Sequence, residues 1–325
     1  MSQMFERGSN PLISVALCTF NGAGHLREQL DSLLSQSYPN LEIIAVDDCS
    51  SDTTVAILQE YALRDTRLRA VVNAANMGFK RNFEFAISQC HGELIAPCDQ
   101  DDIWLPSKLD ELHAAMGAKA MVYCDSELID AEGRSLDKAM SDWWRMGDIR
   151  DPMMLVMDNC VSGHAMLFRR DLLPDALPVP DGLFYDWWLA AIAASRGGVV
   201  YCAKKLVRYR QHRTNVTDIL RKRKNASDKP SMGRGMQKVR DIERRLAGLA
   251  SLPSAQQTSL IEFHGLWLRH TKQWFSFRLA LFIIEHRRQI FALSKRSTAR
   301  QFRRAMTFAF GIRAKRLVKK NKYSL

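Results

Sequence analysis

Three carboxylates fall within four consecutive positions, Asp99-Gln100-Asp101-Asp102, directly after the apolar run Leu94–Cys98. Held side by side such groups repel, and a divalent cation is their natural counter-charge; all-oxygen ligands favour Mg²⁺ or Mn²⁺. An ion there could bridge the phosphates of a nucleotide diphosphate and neutralise charge on a leaving group. The plainer alternative is a solvated acidic turn capping the helix that starts near Pro106. A second acidic pair, Asp47-Asp48, also follows an apolar run. It suits either a turn, with Ser50, Ser51 or Asp52 as helix cap, or hydrogen bonding to a base or ribose. Asp186 lies in Phe184-Tyr185-Asp186-Trp187-Trp188. That aromatic setting could raise its pKa enough for general-base work, or Asp186 could simply cap a helix beside core tryptophans. His212 could serve as a metal or phosphate ligand or stand as a surface side chain. Asn21-Gly22-Ala23-Gly24 lacks the third glycine of a dinucleotide fingerprint, and no phosphate-loop motif occurs. A dehydrogenase or an ATPase is thereby disfavoured.

The elements that must position these groups alternate. Leu12–Phe20, Leu41–Val46, Leu68–Val72 and Leu94–Cys98 read as buried strands, separated by helical patterns over His25–Leu34, Thr53–Arg64 and Asn82–Cys90. A further helix is expected over Pro106–Met116. Beyond it, strands are expected over Met121–Glu127, Gly163–Phe168 and Val199–Arg210, and a helix over Tyr185–Ala194. Uninterrupted apolar strands between amphipathic helices predict an α/β fold with a mostly parallel sheet covered on both faces. Ligands of such sheets bind at the carboxyl ends of the strands, where Thr19, Asn21, Asp47, Asp48 and the acidic cluster stand.

With 46% hydrophobic residues among 325, the chain can bury a full core. Its charge is divided sharply: residues 1–203 carry 16 Lys and Arg against 29 Asp and Glu, whereas residues 204–325 carry 31 against 6. An acidic body with a basic appendage suggests that the appendage meets phosphate, as nucleic acid or as anionic lipid. No nucleic-acid recognition module is visible, so a nucleic-acid-binding protein is the weaker reading. The seven scattered cysteines form no CxxC pair and suggest a reducing compartment without disulfides. No signal peptide is expected, and Leu279–Ile284, the longest clean apolar run near the C-terminus, falls far short of the roughly 20 residues of a spanning helix. Trp267, His270, Trp274, Phe277, Leu281 and Ile284 recur at helical spacing and predict either a packed stripe or an interfacial one. The basic run Arg313, Lys315, Arg316, Lys319, Lys320 and Lys322 favours the cytoplasmic face of an anionic membrane.

Four motifs in order, Ser14–Asn21, Val46–Asp52, Asn76-Met77-Gly78 and Asp99–Trp104, resemble the family 2 glycosyltransferases of the GT-A fold, over roughly residues 12–215. The resemblance implies that Thr19, Asn21, Asp48 and Asn76 line a nucleoside pocket and that Asp99-Gln100-Asp101 is a DxD motif. Asp101 would then be the principal metal ligand, joined by Asp99 and His212. It further implies that Asp186 is the catalytic base of an inverting reaction and that Ser162-Gly163-His164 lies beside the sugar. Tyr185–Leu189, Tyr209–His212 and Asn215-Val216 are more narrowly similar to bacterial rhamnosyltransferases. That subgroup implies dTDP-L-rhamnose as donor and a glycan acceptor, lipid-linked, in surface polysaccharide (O-antigen or capsule) synthesis. UDP-galactose, UDP-glucose or UDP-GlcNAc are the alternative donors, and a catalytically dead sugar-binding relative is a further alternative. The expected organisation is a catalytic domain over 10–218, a linker over 219–236 and a basic helical region over 237–325.

Overall fold

The computed structural model describes residues 10–212, 232–252 and 257–310. Chain order begins β1 (Ile13–Thr19), α1 (Leu26–Leu34), β2 (Leu41–Asp47), α2 (Thr54–Arg64), β3 (Leu68–Val72), α3 (Phe79–Ser88) and β4 (Leu94–Cys98). It continues through β5 (Ile103–Trp104), α4 (Lys108–Met116), β6 (Met121–Ile129), β7 (Ser135–Ala139), β8 (Met166–Arg169), α5 (Leu173–Ala176), α6 (Tyr185–Arg196) and β9 (Val199–Arg210). The C-terminal helices are α7 (Met232–Ser251), α8 (Gln257–Lys272), α9 (Phe277–Glu285), α10 (Arg287–Ile290) and α11 (Thr298–Ala309).

The strands among the described residues join one sheet in the order β3-β2-β1-β4-β8-β6-β9-β5, with β7 on β6. The parallel pairing expected from the apolar runs holds from β3 through β2 and β1 to β4. Beyond β4 the sheet is mixed: β8 runs antiparallel to both β4 and β6, and β6 is parallel to β9. Every residue of β1 is buried. The two-residue repeat of a strand sends Val15 and Leu17 into a core with Leu30 of α1 and Leu109 of α4, and Ala16 and Cys18 into a second core with Phe83 of α3. Both faces are therefore dry, which is why these strands read as unbroken apolar runs.

The strand expected over Gly163–Phe168 begins only at Met166, because Gly163–Ala165 forms a 3₁₀ turn. α3 starts at Phe79, ahead of the expected Asn82, behind Gly78 at φ +79°, a conformation that suits a residue without a side chain. All seven cysteines are free thiols.

α7 buries Val239, Ile242, Leu246 and Leu249, spaced by three and four residues, in the same core as Trp187 and Trp188 of α6. Gly248 lies so close to Trp188 that an added Cβ would sit 3.1 Å from the indole. The expected stripe from Trp267 to Ile284 is not continuous. Ser276 caps α9, its Oγ accepting from Leu279 N, so a new helix starts there. Trp267 and His270 are buried, whereas Trp274, Phe277 and Leu281 face solvent. No described helix is long and apolar enough to cross a membrane. Of the expected linker, residues 219–231 lie outside the described residues, as do Asn215, Val216 and the basic run Arg313–Lys322, while 232–236 are the first residues of α7.

Candidate active site

At the carboxyl ends of β1, β2 and β4 the chain opens a cavity of about 1060 Å³. Its wall includes Thr19, Asn21, Asp48, Asn76, Asp99, Asp101, Gly163, Asp186 and His212, whereas Asp47 and Asp102, also singled out from the sequence, are buried behind it.

Several of these groups act first on the backbone. Asp48, 2% exposed, accepts from Met77 N at 2.7 Å, Gly78 N at 2.8 Å and Asn73 Nδ2 at 3.0 Å, while Asn76 Nδ2 donates to the Asp48 carbonyl. One carboxylate thus ties the loop before α3 to the end of β2. Asp47, the last residue of β2, closes the turn that follows it: it accepts from Thr19 Oγ1 at 2.8 Å and from both the amide and the hydroxyl of Ser50. Asn21, at φ +47°, accepts from Ser51 N through Oδ1. Gln100 had no role assigned from the sequence. Its side chain accepts from Phe20 N at 2.7 Å and donates to Phe20 O at 3.1 Å, locking the tip of β1 to the acidic loop.

The acidic loop is clamped from β9. Arg210 N donates to Asp102 Oδ1 at 3.0 Å and Arg210 Nε to the Asp101 carbonyl at 2.7 Å. Two residues on, His212 Nε2 lies 2.7 Å from Asp101 Oδ2. Enclosure, with Asp101 and Asp186 close by, pushes the Asp99 carboxyl well above the usual carboxylate range. Crowded acids of this kind fit a cation, which would relieve their repulsion. Two ligand sets share the corner. Asp99, Asp102 and His164 have ligand atoms within 4.8 Å of one another. Asp102 and His164 are, however, 0% and 3% exposed and form the floor, where His164 Nε2 meets Ser126 Oγ at 3.0 Å. Burial, with Lys108 nearby, lowers the His164 pKa to about 3, so this imidazole stays neutral. Asp99, Asp101 and His212 line the cavity itself, where an ion could also reach phosphate. Asp102 Oδ2 has no hydrogen-bond partner among the described residues and lies 3.7 Å from His164 Nδ1.

Below them Lys108 is fully buried, donates to the His164 carbonyl at 2.6 Å and sits over the Trp104 ring. Burial lowers its pKa to about 7. A lysine in the first turn after the acidic cluster was the available signal, though its helical setting gave no reason to single it out.

In the same cavity, burial raises the Asp186 carboxyl to about 6, opposed by the Trp187 amide, which donates to Oδ1 at 2.6 Å, and by the Arg245 charge. Gly163 is required for close packing: a Cβ there would fall 1.9 Å from Tyr185 Oη. Trp143, Trp144, Asp158, Asn159 and Arg245 also line the wall. None of them carried a local signal.

Residues 14–176 match the model of glycosyl transferase family 2. An uncharacterized glycosyltransferase of Haemophilus influenzae is 25% identical over 67% of this chain and 71% of its own length. A putative teichuronic acid biosynthesis glycosyltransferase of Bacillus subtilis is 34% identical over 39% of this chain and 52% of its own. Among solved structures, S. aureus TarS 1–349 in complex with UDP-GlcNAc superposes with a TM-score of 0.56 at 18% identity, covering 91% of this chain and 81% of that one. The chain belongs to glycosyl transferase family 2, with the GT-A fold, and is a glycosyltransferase.

Proposed function

We propose that the protein transfers a sugar, with inversion, from a nucleotide diphosphate donor to a hydroxyl of a glycan acceptor. The observation that carries this reading is the placing of one carboxylate of raised pKa, Asp186, in the same cavity as the Asp99–Asp101–His212 corner. A base with a pKa near neutrality can take a proton while remaining ionised at working pH. Asp186 accepts the acceptor hydroxyl proton as that oxygen bonds to the anomeric carbon. The bond from that carbon to the diphosphate breaks, and its electron pair leaves with the phosphate. A single carboxylate suits one in-line displacement, which inverts configuration. Asp101, Asp99 and His212 would hold a divalent ion, Mg²⁺ or Mn²⁺, whose chemistry is to neutralise the departing diphosphate.

dTDP-L-rhamnose remains the proposed donor, on the motif likeness around Tyr185–Leu189 and Tyr209–His212. The complex of TarS with UDP-GlcNAc makes a UDP-sugar the second reading. The teichuronic acid assignment of the Bacillus relative supports a role in surface polysaccharide synthesis. We further propose peripheral attachment to the cytoplasmic membrane face. Exposed Trp274, Phe277 and Phe310, with exposed Arg278, Arg300 and Arg303, supply the aromatic and cationic groups that interfacial binding uses.

Titration of dTDP, UDP and their sugars by calorimetry, with and without Mg²⁺ or Mn²⁺, tests the donor reading. Metal-dependent binding that Asp101→Ala abolishes is expected; nucleotide binding indifferent to metal and to this substitution would refute the assigned corner.

A further inference from the structure

Arg245 is the only arginine or lysine in the cavity wall among the described residues, and the only wall residue supplied by the C-terminal helices. We propose that it forms an anion-binding subsite on the acceptor side, so that the acceptor presents a carboxylate or phosphate near the hydroxyl to be glycosylated. The assignment rests on the reading of Asp186 as the base.

Arg245 is held rigidly. The helix that carries it is anchored by Ile242, Leu246 and Leu249, and its guanidinium lies 5.3 Å from the centroid of the Trp187 ring. That ring is itself fixed, its Nε1 donating to the Leu155 carbonyl at 2.8 Å. A guanidinium stacked on a fixed indole is oriented before any ligand arrives, and its planar donors match a carboxylate or phosphate in two-point contact.

Its hydrogen-bonding capacity is largely unused. Among the described residues, Arg245 makes one long bond, Nη1 to the Val156 carbonyl at 3.4 Å, and no carboxylate reaches ion-pair distance. Arg210, also part of the cavity framework, shows what a structural arginine looks like here. It donates to the Asp101 and Ala131 carbonyls and to Glu28 Oε2. Burial depresses the Arg245 pKa, the cost of holding a cation away from water that an anionic ligand would offset.

The donor diphosphate is not the natural partner. Arg245 lies over the ring of Trp187, whose amide donates to Asp186, whereas Asp101 is bonded to His212 in the opposite ligand set. The cation therefore stands on the side of the base, where the acceptor approaches.

The test compares methyl glucuronide, glucose 6-phosphate and neutral methyl glucoside by calorimetry, on the full chain saturated with UDP and Mg²⁺ so that the diphosphate site is filled. The native protein should bind at least one charged sugar about tenfold more tightly than the neutral one, and which one distinguishes carboxylate from phosphate. Arg245→Met should erase the preference, Arg245→Lys should retain part of it, and UDP affinity should stay within about twofold in both. Thermal melting checks that the variants fold; if Arg245→Met does not, the comparison is made on Arg245→Lys and Arg245→Gln. Equal affinity for charged and neutral sugars, absence of binding by all three, or a preference that survives removal of the guanidinium would overturn the proposal. Failure of the native protein to bind UDP would count against a UDP-sugar donor, and failure to bind dTDP as well would count against the transferase mechanism; in either case the sugar comparison can still be made, with dTDP or without nucleotide.

Discussion

Replacing Asp186 by asparagine separates the proposed base from its surroundings with little change in shape. With a pKa of about 6, Asp186 is roughly nine-tenths ionised at pH 7 and about one-tenth ionised at pH 5. If it must be ionised to act, kcat/KM for release of nucleotide diphosphate should fall about tenfold between those pH values. A carboxylate at its ordinary 3.8 would lose almost nothing over the same interval. Asp186→Asn should lower the rate by about 10²- to 10⁴-fold and abolish the acidic limb, with donor affinity preserved. Stability should move the other way. Because the native pKa is raised, the native state holds its proton more firmly than the unfolded chain between pH 3.8 and about 6, so the contribution of Asp186 to stability falls as pH rises through that window. Asp186→Asn should therefore melt no lower than the native protein at pH 8. The assay is a coupled measurement of nucleotide release from pH 5 to 8, on both proteins, with buffer-independent controls. A flat native profile, or a variant retaining more than about a tenth of the activity, would refute the assignment.

Other perturbations probe the supports of the site. Gly163→Ala places a Cβ 1.9 Å from Tyr185 Oη, so the melting temperature should fall by the equivalent of about 1–3 kcal/mol, and Tyr185→Phe in the same chain should recover part of the loss. Gln100→Ala removes both bonds to the Phe20 backbone and, at about 1 kcal/mol per bond, should weaken nucleotide binding by up to about thirtyfold in calorimetry, with the fold intact by circular dichroism. Vesicles rich in anionic lipid should sediment the full chain at low salt and release it at high salt, and Trp274→Ala with Phe277→Ala should reduce retention; equal binding to neutral vesicles would argue against the charge contribution.

Much of the framework was legible because its signals are local. β1, β2 and β4 are runs buried on nearly every residue, and the acidic and polar residues at their ends mark where the rim must be. The short strands were not legible. β5 has two residues, and β7 is mostly exposed, so neither presents an apolar run. Roles depended on contacts that sequence spacing does not encode. Asp47 and Asp48 look equivalent in the chain, yet the first closes its own turn and the second reaches some thirty positions ahead to Gly78. The stripe from Trp267 onward was periodic across a helix restart, and periodicity alone gives no account of the Ser276 cap. Arg245 sits in an unremarkable basic helix, and only the packing of that helix on Trp187 and Trp188 brings it to the cavity.

That packing bears on how the enzyme comes into being. During synthesis the strands, the acidic loop, Asp186 and His212 all emerge before α7, so the donor side can be assembled while the far wall is still missing. Until the last third of the chain leaves the ribosome, the indoles of Trp187 and Trp188 lack the helix that covers them. A nascent or prematurely terminated chain would carry a sticky aromatic face and an unfinished pocket. Completion of the polypeptide thus buries the hazard and finishes the wall in the same docking event.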